Sequence, residues 1–163
     1  MTRIISIDPG YERLGIAVLE KEAKQKEILV FSECFKTSAK LEHHDRLALI
    51  GNRIKEVIKK YKPEVLATEK LFFSGNQKTA MLVAEARGVI LYTGSSLGLP
   101  VFEYTPNSIK IAITGYGRSE KRQMISMVEK LIDVRHSVSN KISNSDDEFD
   151  AIAIGLTHFA IQR

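Results

Sequence analysis

Short apolar runs near the start of the chain predict three β-strands in succession. The run RIISID covers residues 3–8 and stops at a Pro-Gly pair, GIAVLEKE follows at 15–22, and EILVFSECFK occupies 27–36. Because Pro and Gly interrupt strands and favour turns, the first two runs predict a hairpin with Asp8 at its mouth. The chain therefore begins with a predicted three-stranded meander.

Helical spacing begins after the third strand. Apolar residues recur every three or four positions from Glu42 to Tyr61, and Pro63 closes this amphipathic segment. The remaining predicted elements are a strand at 64–69, a long helix at 78–97, a fifth strand in 100–106, and helices at 106–113, 119–133 and 145–161. This order predicts an α/β fold with a mixed sheet and helices on both of its faces.

Composition places the chain among ordinary globular proteins. Its 163 residues, 44% hydrophobic and 27% charged, fit one domain, and the net charge of +4 weakly favours partners that carry phosphates. Cys34 is the only cysteine, which excludes a disulfide framework and a Cys-rich zinc site. We interpret Cys34 as a small buried apolar residue.

Signals for membrane insertion or export are missing from the sequence. No apolar run approaches the roughly 18 residues of a membrane span, and the N-terminal run is too short for a signal peptide. We therefore expect a cytoplasmic protein that has no membrane partner.

Two acidic residues lie at the ends of predicted strands. Asp8 precedes the Pro-Gly pair, and Glu69 follows the apolar run of the fourth strand. A side chain at a strand end points into the crevice that lies there. Taken singly, Asp8 is better explained as an Asx-turn residue, and Glu69 is explained equally well as a solvated residue at a strand end.

The last predicted helix carries two more candidate acids. Ser145 to Glu148 match the S-x-x-E capping box, so any acid of this first turn could simply cap the helix. Asp150 lies beyond that turn in FDAIAIGLTHFAI, which is apolar around nearly its whole circumference. A buried carboxylate needs a basic residue or a metal ion as its partner. Asp147, three residues earlier, lies on the same face.

Four acids arranged in this way could supply the oxygen ligands that Mg²⁺ or Mn²⁺ prefers. Two such ions roughly 4 Å apart can generate a hydroxide nucleophile and stabilise the leaving oxygen of a phosphodiester. Such a reaction requires no Ser, Cys or His nucleophile. The pattern therefore favours a metal-dependent nuclease centred on Asp8, Glu69, Asp147 and Asp150.

The chain resembles the RuvC Holliday junction resolvases of the ribonuclease H-like superfamily over almost its whole length. The matching segments, in the expected order, are ISIDPGYERLGIAV at 5–18, TEKLFFSGN at 68–76, EARGV at 85–89, PVFEYTP at 100–106, IKIAITGYGRSEKRQM at 109–124 and DEFDAIAIGLTH at 147–158. IDPG alone is weak, whereas the ordered set is highly specific.

The resemblance implies a ribonuclease H-like mixed five-stranded sheet whose first three strands are antiparallel, within a single RuvC-like endonuclease domain at 1–163. It further implies a bacterial homodimer that nicks a four-way DNA junction symmetrically during homologous recombination and repair. Mg²⁺, replaceable by Mn²⁺, is the implied cofactor, with two ions per active site. A branch-migration complex of the RuvA and RuvB type is the implied partner.

Site residues follow from the same resemblance. It assigns Asp8, Glu69, Asp147 and Asp150 as catalytic metal ligands. It also assigns Lys110 and Lys121 as catalytic, positively charged residues near the scissile phosphate, where they could neutralise developing charge or hold the backbone. The residues it implies for DNA contact are Phe72, Phe73, Lys110, Arg118 and Lys121.

Several features near these residues bear on the assignment. The chain departs from the family pattern at Glu148-Phe149 and in its additional Asp146, so Asp146 is the alternative to Asp147 as ligand. Ser119 is the expected N-cap of the helix that follows GYGRSEK. His158 is expected to be a satisfied core residue.

Other function classes fit the sequence less well. An actin-like ATPase opens with a similar D-x-G hairpin but encloses its nucleotide between two such domains, for which 163 residues leave no room. The remaining alternatives are another ribonuclease H-like nuclease and a junction-binding module without catalysis.

Overall fold

A five-stranded mixed sheet forms the centre of the protein, which we describe from a computed structural model covering residues 1–71, 77–134 and 145–162. The strands are β1 (Thr2–Asp8), β2 (Arg13–Lys21), β3 (Ile28–Lys36), β4 (Val65–Glu69) and β5 (Val101–Tyr104). Their order across the sheet is β3-β2-β1-β4-β5. β1, β2 and β3 pair antiparallel, whereas β4 is parallel to β1 and to β5.

Five helices complete the described part of the chain. They are α1 (His43–Tyr61), α2 (Gln77–Ser96), α3 (Pro106–Thr114), α4 (Lys121–Leu131) and α5 (Asp146–Ile161). Each lies where helical spacing predicted it, with boundaries shifted by one or two residues. Among these described helices, none combines the length and apolar character that a bilayer crossing requires.

Alternation along the strands divides the core into two layers. Ile5 and Ile7 of β1 pack on the layer that contains α1 and α2. Ile4 of β1 packs with α3, α4 and α5 on the opposite face. Because successive side chains of a strand point to opposite faces, one short strand serves both layers. The prediction of helices on both faces is thus confirmed.

Helix α1 shows how the sequence sets an element's limits. Its apolar residues recur at helical spacing and bury a single face, with Ile50 and Ile54 fully buried. Lys62 then adopts a left-handed conformation with φ of 49°, and its N–H donates to the carbonyl of Ile58. Pro63 has no backbone N–H to continue the helix, so α1 ends here.

Helix α5 lies very close to the sheet. The hydroxyl of Ser6 on β1 donates to the carbonyl of Ala151 over 2.7 Å. A Cβ placed on Gly155 would lie 2.6 Å from Leu19 Cδ1 and 2.9 Å from Ser6 Oγ. Small residues at these positions therefore permit the approach of the helix, which is buried on nearly all sides.

Two predictions of helix capping are wrong, and the first of them concerns α5. Ser145 is the N-cap of α5 as expected, but its hydroxyl donates to Asp147 Oδ2 over 3.1 Å and no side-chain cap forms. Glu148, the other half of the predicted capping box, instead accepts a 2.8 Å hydrogen bond from buried Ser32. The sheet offers this carboxylate a hydroxyl, which replaces the local partner in the box.

Glu120, not Ser119, caps helix α4. The N–H of Glu120 donates to Gln123 Oε1 over 2.8 Å, which is one half of a capping box. Ser119 is buried and donates to the carbonyl of Tyr116 over 2.6 Å. The tight turn between α3 and α4 therefore uses the serine hydroxyl, and the helix begins one residue later.

Replacement of Ile54 by Ala tests the layer beneath α1. Ile54 is fully buried, so the cavity and the lost apolar contacts should lower the free energy of unfolding by about 2–5 kcal/mol. Leu49→Ala on the same helix is the matched control, because Leu49 is 40% exposed; its change should stay within about 0.5 kcal/mol. Urea denaturation measures both, and equal losses would contradict this packing.

Candidate active site

The ends of two parallel strands bring Asp8 and Glu69 to one edge of the sheet. Ile7 of β1 pairs in register with Thr68 of β4. Asp8 and Glu69 are the next residues and the last of their strands. The Thr68 hydroxyl also donates to the carbonyl of Ile7 over 2.9 Å, which fixes the two strand ends side by side. The sequence prediction for these two acids is consistent with this arrangement.

Gly15 brings the first turn of α5 to the same edge. This glycine pairs with Asp8 across the β1–β2 hairpin. A Cβ at Gly15 would lie 1.9 Å from the carbonyl oxygen of Asp147 and 3.1 Å from Asp8 Cβ. No other residue type fits without moving the helix. The absent side chain therefore lets α5 place its acids beside Asp8.

The four carboxylates influence one another electrostatically. Burial raises the pKa of Asp8 well above its usual range, and the charges of Asp150, Glu69 and Asp147 raise it further. The pKa of Glu69 is also raised, first by burial and then by Asp150. Acids from β1, β4 and α5 thus form one cluster with excess negative charge.

Two lysines lie against this cluster. The ammonium of Lys121, the first residue of α4, forms an ion pair with Asp150. Burial nevertheless raises the pKa of Asp150, because it outweighs the opposing effect of Lys121. Lys121 and Lys110 both act to lower the pKa of Glu69. The predicted basic residues therefore lie close to the predicted acids.

A small open cleft connects these groups. Its volume is about 220 Å³, and Glu69, Lys110, Lys121 and Asp150 all line it. Both signs of charge meet at its surface, so an anionic backbone could approach the lysines while cations occupy the acidic side. The chemistry of the cleft therefore suits a phosphodiester and a hard metal ion.

Asp147 differs from the other three acids. Burial acts to raise its pKa, but hydrogen bonds from Arg13, Cys34 and Ser145 lower it below the usual value. Arg13 Nε donates to Asp147 Oδ2 over 2.7 Å, and Cys34 Sγ lies 3.5 Å from the same oxygen. The interpretation of Cys34 as a buried apolar residue is wrong, since it is partly exposed and contacts a carboxylate.

The remaining predicted residues occupy other positions, although the charge of Asp146 also acts to raise the pKa of Asp150. Asp146 and Arg118 are exposed on the surface. Phe72 and Phe73 lie outside the residues that the structure describes. His158 is a satisfied core residue, as expected, because its Nδ1 is 2.9 Å from the hydroxyl of Tyr104 and burial lowers its pKa.

The donor set fits a hard divalent cation in its chemistry. All four acids offer oxygen, and their mutual repulsion favours any positive charge placed among them. Across residues 1–71, 77–134 and 145–162, however, no three His, Cys, Asp or Glu side chains converge on one point. Asp147 instead pairs with Arg13, and Asp150 pairs with Lys121.

Comparison with known sequences identifies a matching family. The model described as crossover junction endodeoxyribonuclease RuvC matches residues 4–158. A protein of that name from Halothermothrix orenii is 41% identical over 155 residues, which cover 95% of this chain and 90% of the relative. Its counterpart from Moorella thermoacetica is 41% identical over 155 residues, 95% of this chain and 89% of the relative.

Solved structures agree with these sequence matches. Thermus thermophilus RuvC in complex with a Holliday junction substrate superposes with a TM-score of 0.88 at 31% identity, covering 100% of this chain and 96% of that one. The yeast mitochondrial Holliday junction resolvase Ydc2 superposes with a TM-score of 0.72 at 12% identity, covering 99% and 79%. The latter likeness shows a shared fold.

Substitution of Asp8 by Asn should stabilise the metal-free protein at neutral pH. Because the pKa of Asp8 is higher in the folded chain than the usual 3.8, its ionisation opposes folding increasingly as the pH rises above 3.8, and the penalty is complete above the raised value. Below the usual pKa both states are protonated and the penalty vanishes. The stability advantage of Asp8→Asn should therefore shrink as the pH falls below the raised pKa and vanish below the usual value of 3.8.

Thermal unfolding in EDTA, followed by circular dichroism, measures this difference. Glu64→Gln is the control, because it removes a negative charge from an exposed residue preceding β4. An equal advantage for Glu64→Gln, or a destabilised Asp8→Asn at neutral pH, would contradict the electrostatic cluster.

Proposed function

Because this chain belongs to the RuvC family of crossover junction endodeoxyribonucleases, we propose that its four clustered carboxylates form the catalytic centre. The protein is a metal-dependent endonuclease that resolves Holliday junctions. The observation that carries the site assignment is the electrostatic coupling of Asp8 to acids from β4 and α5. We propose that residues 1–163 make up one catalytic domain.

The proposed metal ligands are Asp8, Glu69, Asp147 and Asp150. Oxygen donors of this kind favour Mg²⁺, with Mn²⁺ as a substitute, and four carboxylates have the charge to hold two ions. When bound, such ions supply a hydroxide nucleophile and stabilise the leaving oxygen of the cleaved strand.

The proposed role of the lysines is to bind the scissile phosphate and to balance its charge. Lys110 and Lys121 line the cleft beside Glu69 and Asp150, where their ammonium groups can contact phosphate oxygens. Positive charge held there also stabilises charge that develops on the phosphate during cleavage. Lys121 additionally orients Asp150 through their ion pair.

Junction recognition requires more than one site. We propose a homodimer in which two identical centres, held at a fixed separation, nick two strands symmetrically. Phe72 and Phe73 are proposed to stack on unpaired bases at the junction centre, and exposed Arg118 to bind the backbone. A branch-migration complex of the RuvA and RuvB type is the proposed partner in recombination and repair.

Asp8→Asn and Asp150→Asn should abolish nicking of a synthetic four-way junction in Mg²⁺. Losing a metal ligand removes several kcal/mol of transition-state stabilisation, so we expect a fall of at least about 100-fold in rate. Junction binding in EDTA, measured by gel shift, should survive, because the basic contacts remain. Undiminished nicking by either variant would contradict the site.

Asp147→Asn and Asp146→Asn form a matched pair of variants for the same nicking assay. These neighbouring residues start α5, but only Asp147 contacts Arg13 and influences Asp8. Nicking should fall with Asp147→Asn and persist with Asp146→Asn. The opposite result would transfer the ligand role to Asp146.

Phe72→Ala should lower junction cleavage while leaving the metal site intact. Loss of one stacked base costs about 1–3 kcal/mol, which corresponds to roughly a 5- to 150-fold weaker productive complex. Competition between a four-way junction and a linear duplex of equal length measures selectivity. Equal binding of both by the wild type would contradict the proposed mode of junction recognition.

A further inference from the structure

Three donors converge on a single oxygen of Asp147. Arg13 Nε lies 2.7 Å from Oδ2, Ser145 Oγ lies 3.1 Å from it, and Cys34 Sγ lies 3.5 Å from it. The terminal nitrogen of Arg13 also reaches Oδ2. All the hydrogen bonds that the described residues donate to this carboxylate therefore go to one side of it.

The sheet positions these donors around the first turn of α5. Arg13 and Gly15 are two residues apart on β2, so the Arg13 side chain lies on the face of the sheet that Gly15 leaves open. Cys34 of β3 pairs in register with Gly15. The backbone of Asp147 occupies the space above Gly15. Arg13 and Cys34 therefore flank the point at which Asp147 enters the site.

Charge pairing alone does not account for this arrangement. The side chain of Arg13 is 52% exposed, and an ion pair at such exposure adds little to stability. Its guanidinium nevertheless makes two contacts to Oδ2, and Ser145 and Cys34 donate to the same oxygen. Donors from three directions hold this oxygen in one position and so restrict the orientation of the carboxylate. The consequence of the contact is thus orientation more than folding free energy.

We propose that Arg13 is a positioning residue that holds Oδ2 of Asp147 so that Oδ1 is available to ligate the divalent cation. This inference rests on the proposed metal site and adds a residue that is not one of its ligands. It also separates Asp147 from its neighbour Asp146, which is exposed and has no such support. Hydrogen-bonded partners of ligating carboxylates typically change metal affinity 10- to 100-fold when removed.

The direction in which metal affinity changes when Arg13 is removed distinguishes a positioning role from a purely electrostatic one. A positive charge beside the site repels a cation, so if charge were all that mattered, removing Arg13 would tighten metal binding. If Arg13 orients Asp147, removing it weakens metal binding instead. The direction of the change in Mn²⁺ affinity therefore decides between the two.

The test is Mn²⁺ binding to the DNA-free protein, followed by the electron paramagnetic resonance signal of free Mn²⁺. Arg13→Gln should raise the Mn²⁺ dissociation constant by about 10- to 100-fold. Arg13→Lys, which keeps the charge but loses the two-pronged contact, should be intermediate. The Mg²⁺ concentration that gives half-maximal junction nicking should rise in the same order.

Lys36→Gln is the matched control. Lys36 is exposed on β3 and is the cross-strand neighbour of Arg13, so its removal takes the same charge from the same rim of the sheet. Its Mn²⁺ dissociation constant should stay within about twofold of the wild-type value, because the side chain makes no contact with Asp147 among the described residues.

Two outcomes would overturn the inference. One is Arg13→Gln protein that binds Mn²⁺ as tightly as the wild type or more tightly. The other is equal weakening by Arg13→Gln and Lys36→Gln. Thermal unfolding checks that each variant is folded. If Arg13→Gln is unfolded, the Mn²⁺ affinity of Arg13→Lys is compared with that of the wild type instead. Wild-type protein that binds no Mn²⁺ would instead overturn the proposed metal site itself.

Discussion

Helix α5 lies against the β1–β2 hairpin at a distance that only small residues permit, and the rest of the site depends on this contact. Gly15 and Gly155 leave space for the helix, and Ser6 donates a hydrogen bond to its backbone. If α5 stood further from the sheet, Asp147 and Asp150 would not reach Asp8. The packing that closes one layer of the core therefore also brings together the acids of the proposed catalytic centre.

Bringing four acids together opposes folding, and the chain offsets this with two cations. Burial and mutual repulsion raise the pKa of Asp8 and Glu69, which means that their charged forms are disfavoured. Lys121 pairs with Asp150 and Arg13 with Asp147. Because both pairs are partly exposed, they relieve repulsion while adding little to the free energy of folding. Lys121 also lines the cleft beside Asp150, and Arg13 contacts Asp147 at the start of α5.

Much of this architecture could be predicted from local sequence. Periodicity located every described strand and helix, and the strand ends indicated Asp8 and Glu69. Predictions that relied on local partners were less successful, since Glu148 bonds to Ser32 across 116 positions of sequence and not to its own helix start. Arg13 was missed for the same reason: its partner is 134 residues away, and a strand pattern carries no signal for such a pair.

The order of the elements along the chain has a consequence for synthesis. Asp8 and Glu69 emerge early from a ribosome, whereas Asp147 and Asp150 belong to the last described helix, which packs on strands made long before. A nascent chain that ends before α5 therefore carries two of the four clustered acids, and one face of its sheet lacks the helix that lies closest to it. On the proposed assignment of the four acids, a chain that stops before α5 lacks two of them and has no assembled site.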